Sequence, residues 1–484
     1  MNRPGPMGSV LSWWRRLVGR AAVATDAGTP SQPRPADPSA RPAGVAAPAE
    51  SGPGKPAGVA RRPLLNRQGE VAGFEFSLTP PRRGRESGRR TAASPVADAL
   101  AVLEAMRTTI AQGQLALAAL PLSVLGQPAV LPAVPEGALL ALDDVLPRDL
   151  KSASAAMAAL RSRGAQLGGC GHALTGTAFT LLDCSGLDAD GLAAAAADCR
   201  RDTAGLLLVA VGLPDIDSVE DALNSTVDLA AGSLQAGRGP QPSRALPPQV
   251  QRVCALINQV LRDAELSEIS AELRADIGLS YQLLRHVNSA WYALPRTAHS
   301  VDDAVMMIGR DGLFRWLTQL LMAQAAQRPS SRALQEVALA RARLMELLGE
   351  AQSIPATPLF TTGLLSLLDV MLRTPIGEAL APLHLPQPAT RALVNGDGPW
   401  HPMLDLVRRL EKRDMQAATE LAELYGGIDW VSTCAEESWH WARAVRAADA
   451  GPGADESAPG PVAAPAARPA GSATARRPAA LSGR

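Results

Sequence analysis

Six histidines stand at 172, 286, 299, 384, 401 and 440, and none is followed by aspartate. The chain therefore has no adjacent His-Asp pair to anchor a metal ion. His286 and His299 could still ligate one from distant points of the sequence, although packing or surface positions are the ordinary reading of such residues. Adjacent aspartate pairs occur at Asp143-Asp144 and Asp302-Asp303. The second falls in the first turn of a helix, where the dipole favours negative charge. Cysteines at 170, 184, 199, 254 and 434 are odd in number and have no CxxC spacing. That pattern argues against a disulfide framework and a short-spaced zinc site. No GxxxxGK[ST] loop, HExxH, GxSxG or EF-hand loop is present. Arg82, Arg83, Arg85, Arg89 and Arg90 form a basic run among Pro, Gly and Ser. Without interleaved aromatics it reads as a solvated loop before it reads as a phosphate grip.

The elements that would have to position such groups fall into distinct stretches. The 484 residues carry 47 basic and 47 acidic side chains, and aromatics make up 3%. A neutral chain with few stacking platforms is poorly suited to coating nucleic acid, so no specific nucleic-acid partner is expected. No run of 18 apolar residues exists, so no transmembrane segment is expected and the default compartment is the cytoplasm. Residues 1–60 and 449–484 are rich in Pro, Ala and Gly and are expected to be disordered. Within the first of these, Trp13, Trp14, Leu17 and Val18 beside Arg15, Arg16 and Arg20 could form a short amphipathic helix for a membrane or partner contact, against the plainer reading of an unstructured leader.

Residues 61–238 alternate strand-like and helix-like segments. A hairpin is expected from Leu64-Leu65 and Val71–Phe76 about the turn Asn66-Arg67-Gln68-Gly69. Helices then follow near 96–111, 152–162, 192–199 and 219–223, with strands near 115–122, 179–182 and 206–211 and a short apolar run at 138–142. This order argues for parallel βα units. The stretch Arg238-Gly239-Pro240-Gln241-Pro242 reads as a linker. Residues 245–448 show helical periodicity throughout, with a capping-box start at Ser300 and Asp303 and a nearly all-apolar helix over 364–372 stopped by Pro375.

The segment 276–290, Asp-Ile-Gly-Leu-Ser-Tyr-Gln-Leu-Leu-Arg-His-Val-Asn-Ser-Ala, resembles the signature of the HDOD domain. Residues 300–309, 313–317, 341–346 and 360–369 resemble the family's subsequent helices, so the likeness runs in order over about 200 residues. HDOD domains share a fold with HD phosphohydrolases but lack their metal-binding dyad, which agrees with the missing His-Asp pair. The resemblance implies a regulatory domain acting through protein contacts. Leu283, Asn288, Ser289, Ala290, Gly309, Arg315 and Trp316 are its signature positions here, in structural or partner-contact roles. Asn288 and Ser289 are expected to cap or bridge helices.

Beside that domain, the first half resembles a degenerate EAL domain of the two-domain EAL–HDOD signalling proteins. An active EAL domain is a barrel that hydrolyses cyclic di-GMP with two metal ions held by carboxylates and an Asn. Glu75 takes the place of the motif's glutamate and Asp183 is a second remnant. The motif's arginine is Thr79, the paired aspartates give way to Gly168-Gly169-Cys170-Gly171-His172, and the lysine is Leu181. Later acidic positions match Ala210 and Leu213, and the Gln-Gly pair matches Ala231-Gly232. Two metal ions beside a phosphodiester need several converging carboxylates, and one Glu with one Asp does not supply them. The literal Glu378-Ala379-Leu380 lies in the helical half and carries no weight.

The sequence thus reads as a degenerate (β/α)-barrel-like EAL domain over 61–238, truncated or partly open because its 178 residues fall short of ~250 for a full (β/α)₈ barrel. An all-α HDOD domain over 245–448 follows. The expected function is non-catalytic signal transduction through unidentified signalling proteins, with no catalytic residue, metal or cofactor. The alternative is a sensor that binds cyclic di-GMP or another nucleotide, weakly and without hydrolysis. An active phosphodiesterase is the remotest reading.

Overall fold

The computed structural model describes residues 59–78, 95–171, 174, 176–203, 205–237, 245–289 and 296–450. The segment around Trp13 and Trp14, the basic run 82–90, the linker 238–242, His172 and Ala290 lie outside these residues, as do the expected tails save for their innermost residues.

The first two described strands, β1 (Val59–Asn66) and β2 (Val71–Leu78), form the expected antiparallel hairpin. Its turn is set locally. Asn66 Oδ1 accepts hydrogen bonds from the backbone N–H groups of Gln68 and Glu70, and Gly69 takes φ +69°. Parallel strands follow: β3 (Leu115–Leu120), β4 (Leu139–Leu142), β5 (Gln166–Cys170), β6 (Phe179–Asp183), β7 (Leu207–Leu213) and β8 (Leu229–Gly232). The last strand pairs antiparallel with β1 through Leu64↔Ala231, Leu65↔Ala230 and Asn66↔Leu229, closing an eight-stranded barrel.

The expectation of a truncated or partly open barrel is thereby corrected. All eight strands are kept, which leaves no unpaired edge, and the saving in length comes from strands and connections. Strands β4 and β8 have four residues each, and β3 leads to β4 by way of a helix of four residues. The described residues between β5 and β6 contain no helix. Outer helices are α1 (Pro95–Ala111), α2 (Leu122–Leu125), α3 (Leu150–Ser162), α4 (Ala189–Asp202) and α5 (Ile216–Asn224).

Period-two alternation sorts the strand residues between the two faces. Leu64, Leu117, Leu139, Phe179, Leu181, Val209 and Leu229 fill the barrel interior. On the opposite face of the strands, Phe74, Ala118, Leu140 and Leu167 pack outward with Leu103 and Met106 of α1 and Leu160 of α3. Gly168 has a packing reason: a Cβ there would stand 2.3 Å from the Phe179 ring, so the missing side chain makes room for the aromatic one.

The second half contains α6 (Pro248–Leu261), α7 (Leu266–Arg274), α8 (Ile277–Val287), α9 (Val301–Gln324), α10 (Ser331–Glu350), α11 (Ala356–Leu365), α12 (His401–Lys412), α13 (Met415–Ala422) and α14 (Ile428–Ala450), with shorter turns between. Ser300 Oγ accepts from Asp303 N–H at 3.1 Å, as its sequence position implies. The apolar run at 364–372 is not one helix. It breaks at Ser366-Leu367 between α11 and a short helix, Leu368–Leu372. There the buried Arg341 donates to Ser366 O and Oγ while holding Glu411 with Nε and Nη2.

One apolar core runs without interruption from Leu65, Leu208, Val219 and Leu234 of the barrel half into Val250, Leu283, Leu317 and Val337 of the helical half. A polar clasp reinforces this seam. Arg328, 2% exposed, pairs with Asp217 and with Glu220, itself 6% exposed, both of α5. Glu220 also accepts from Ser330 and Arg373. The hairpin turn fits against the same region: a Cβ on Gly69 would lie 2.1 Å from Pro329 O, and Ala333 N–H donates to Gly69 O.

Candidate functional site at the barrel mouth

Strand register places the residues that face inward at the carboxyl ends of the parallel strands. Glu75 on β2 lies beside Leu117, and Leu117 beside Leu139. Ala119 pairs with Ala141, Cys170 with Leu181, and Asp183 with Val211. Adjacent partners share a face, so Glu75, Ala119, Ala141, Cys170, Asp183, Val211 and Ala231 ring this mouth. Ala210, matched to an acidic position by sequence, packs outward, and its neighbours Val209 and Val211 line the interior instead. The mouth is thus apolar or neutral at most of its positions.

Glu75 is 13% exposed and faces two arginines. Arg62, its partner in the β1–β2 ladder, comes from within the barrel. Arg413 comes from the helical half, where it caps the C-terminus of α12, and its Nη2 lies 2.5 Å from Glu75 Oε2. The contact is an ion pair and not an aligned hydrogen bond. Burial, and after it Arg413, push the Arg62 guanidinium below its ordinary range, with Glu75 opposing.

Asp183 keeps its carboxylate local, accepting from Ser185 N–H at 3.0 Å and Ser185 Oγ at 2.7 Å. Asp144 accepts from the first N–H groups of α2, Leu122 and Ser123. Burial raises it, but these hydrogen bonds outweigh burial and hold it below the usual carboxylate range. Its neighbour Asp143 is raised, by burial first and by Asp144 second. Between Asp143 and Asp183, the Cys170 thiol is pushed up to about 11 by burial and then by those two carboxylates, so it stays protonated at neutral pH.

This donor set does not fit the two-ion centre implied by the resemblance. Glu75 already carries a guanidinium, and the carboxylates on the far side flank a neutral thiol. Among the described residues, no three His, Cys, Asp or Glu side chains gather in a way that could hold a metal ion. His286 lies tilted against Trp316, ring centroids 6.5 Å apart, and His299 is exposed; neither belongs to such a group.

The signature positions of the helical half have structural partners. Leu283 is fully buried and Trp316 is 4% exposed, both in the main core. Asn288 caps α8 and bridges to the next segment, donating from Nδ2 to Ala298 O at 2.9 Å and accepting at Oδ1 from Ala298 N–H at 2.8 Å. Ser289 N–H donates to His286 O. Gly309, at φ +67° and ψ −176°, kinks α9 in a region that only glycine adopts readily. Arg315 pairs with Glu346 and lies over the Phe360 ring, 4.6 Å from its centroid. The sequence offered no sign of the groups that meet Glu75 or Glu220. Arg413, Arg328 and Arg373 are ordinary surface-type residues until the seam forms around them.

The HDOD domain family matches residues 244–373. The uncharacterized protein YuxH of Bacillus subtilis is 27% identical over 170 residues, which is 34% of this chain and 42% of that protein. The cyclic di-GMP phosphodiesterase CdgJ of Vibrio cholerae is 31% identical over 147 residues, 30% of this chain and 34% of that protein. The chain thus spans less than half the length of these curated relatives. Among solved structures, an EAL domain protein from Listeria monocytogenes aligns at 15% identity and TM-score 0.27, covering 36% of this chain and 85% of that one. The FimX EAL domain of Xanthomonas citri, solved in complex with c-diGMP, aligns at 18% identity and TM-score 0.26, covering 39% and 90%.

Proposed function

We propose that this chain is a non-catalytic regulatory protein of the cyclic di-GMP signalling type, with an EAL-like barrel kept as scaffold and output through protein contacts. The observation that carries the reading is the composition of the barrel mouth. Ala119, Ala141, Val211 and Ala231 occupy inward positions at strand ends where a two-ion phosphodiesterase would need oxygen ligands. The helical half supports the output side. Ile277 and Tyr281, one turn apart on α8, are 86% and 65% exposed, and Met306 on the adjoining α9 is 73% exposed. Large apolar side chains held in water favour a surface that meets another protein.

The test incubates the full chain with cyclic di-GMP and Mg²⁺ or Mn²⁺ and follows the linear dinucleotide by chromatography. No product above the buffer control is expected. Hydrolysis that disappears in Glu75→Ala would overturn the reading. Calorimetry with the same nucleotide is expected to give no heat beyond dilution. Binding without turnover would replace the scaffold with a nucleotide sensor.

A further inference from the structure

Among the described residues, the non-glycine positions with positive φ are Asp263, Ser353, Arg373 and Arg413. Two of them share a design. Arg373 ends the short helix Leu368–Leu372 at φ +52°, and Arg413 ends α12 at φ +61°. Glycine is the favoured residue in this left-handed cap, because an L side chain is crowded there. Both positions nevertheless carry arginine, and both guanidiniums cross the seam to a carboxylate of the barrel half. Arg373 reaches Glu220, and Arg413 reaches Glu75.

We infer that Arg413 is an internal cation: its guanidinium takes the seat at Glu75 that the EAL resemblance would give a divalent ion and latches the helical half over the barrel mouth. The docked arrangement and divalent-cation binding at Glu75 therefore exclude each other. Glu75 cannot dispense with a counter-charge, because Arg62 faces it from the neighbouring strand and both side chains are largely buried. The arrangement is asymmetric. Loss of Arg413 leaves Glu75 still facing Arg62, whereas loss of Glu75 leaves Arg62 and Arg413 to repel each other in a partly desolvated place. The latch rests on the same EAL resemblance as the scaffold reading, but its readouts need no nucleotide, so either can fail without the other.

The experiment compares the full chain with Arg413→Gly, Glu75→Gln and the double variant by thermal unfolding and by hydrogen exchange of the β1 and β2 amides, each with and without millimolar Mn²⁺. Arg413→Gly relaxes the backbone, so a merely local role predicts equal or higher stability. The latch predicts a lower midpoint and about tenfold faster exchange in the hairpin. Glu75→Gln is expected to be the less stable single variant, with part of its loss recovered in the double variant. Mn²⁺ is expected to leave the unmodified chain unmoved. An Arg413→Gly protein as stable as the parent would overturn the inference. So would a Mn²⁺-induced rise in midpoint of the parent that vanishes in Glu75→Gln. If Glu75→Gln does not fold, the sign of the Arg413→Gly change and the parent's response to Mn²⁺ still decide.

Discussion

Replacing Glu336 by Gln should flatten the pH dependence of stability. Glu336 lies on α10 with 9% of its side chain exposed and Oε1 without a hydrogen-bond partner. Arg446 and Arg443 of α14 and Glu70 of the hairpin turn act on it from the elements packed around it, with Arg332 one turn away on α10. The closest cation, Arg446 Nη1, stands 4.0 Å from Oε2. Burial is the main cause that pushes the carboxyl from 4.5 up to about 7; the two arginines oppose the rise and Glu70 adds to it. Since the folded value exceeds the unfolded one, folding takes up a proton. The favourable contribution is complete below about pH 4.5 and is lost as pH rises through 7. At 1.36 kcal/mol per unit, a displacement of roughly 2.5 units costs about 3 kcal/mol above pH 8 and about 1 kcal/mol at pH 5. Urea unfolding at pH 5 and pH 8 reads the difference. The parent should lose about 2–3 kcal/mol more than Glu336→Gln between these conditions. Parallel profiles for the two proteins would show that Glu336 does not titrate in this window and would refute the reasoning.

Three further substitutions probe the framework. Arg328→Ala leaves Glu220 buried with fewer partners at the seam and should cost ~3–5 kcal/mol in thermal unfolding; a loss under ~1 kcal/mol would mean the clasp is incidental. Gly309→Ala meets no steric obstacle but must hold a positive φ with extended ψ, so a loss of ~1–3 kcal/mol is expected by denaturant titration, with helix content unchanged by circular dichroism. Gly168→Ala drives a Cβ into the Phe179 ring and should destabilise by ~1–3 kcal/mol, with partial recovery when Phe179→Leu is added; no recovery would place the strain elsewhere.

Local chemistry determined a good deal of this protein. The Asn66–Gly69 turn, the strand at 115–122, the Ser300 cap and the helical stripes of the second half were all legible, because each depends on residues within a few positions of one another. The HDOD likeness was legible for the same reason. Strands β5 and β8 were not. Gly168-Gly169 and Ala230-Ala231-Gly232 have little β propensity of their own, and only pairing with neighbours on both sides makes them strands. Barrel closure followed from those two strands, against the shortness of the chain. Tertiary structure alone decided the fate of the barrel mouth. Glu75 has the residue type that the resemblance calls for, yet its surroundings are set by Arg62 across the ladder and by Arg413 from the far half of the chain. A charge's partner over such a separation has no periodic or compositional signature. It exists only once the apolar core shared by the two halves has brought their surfaces together.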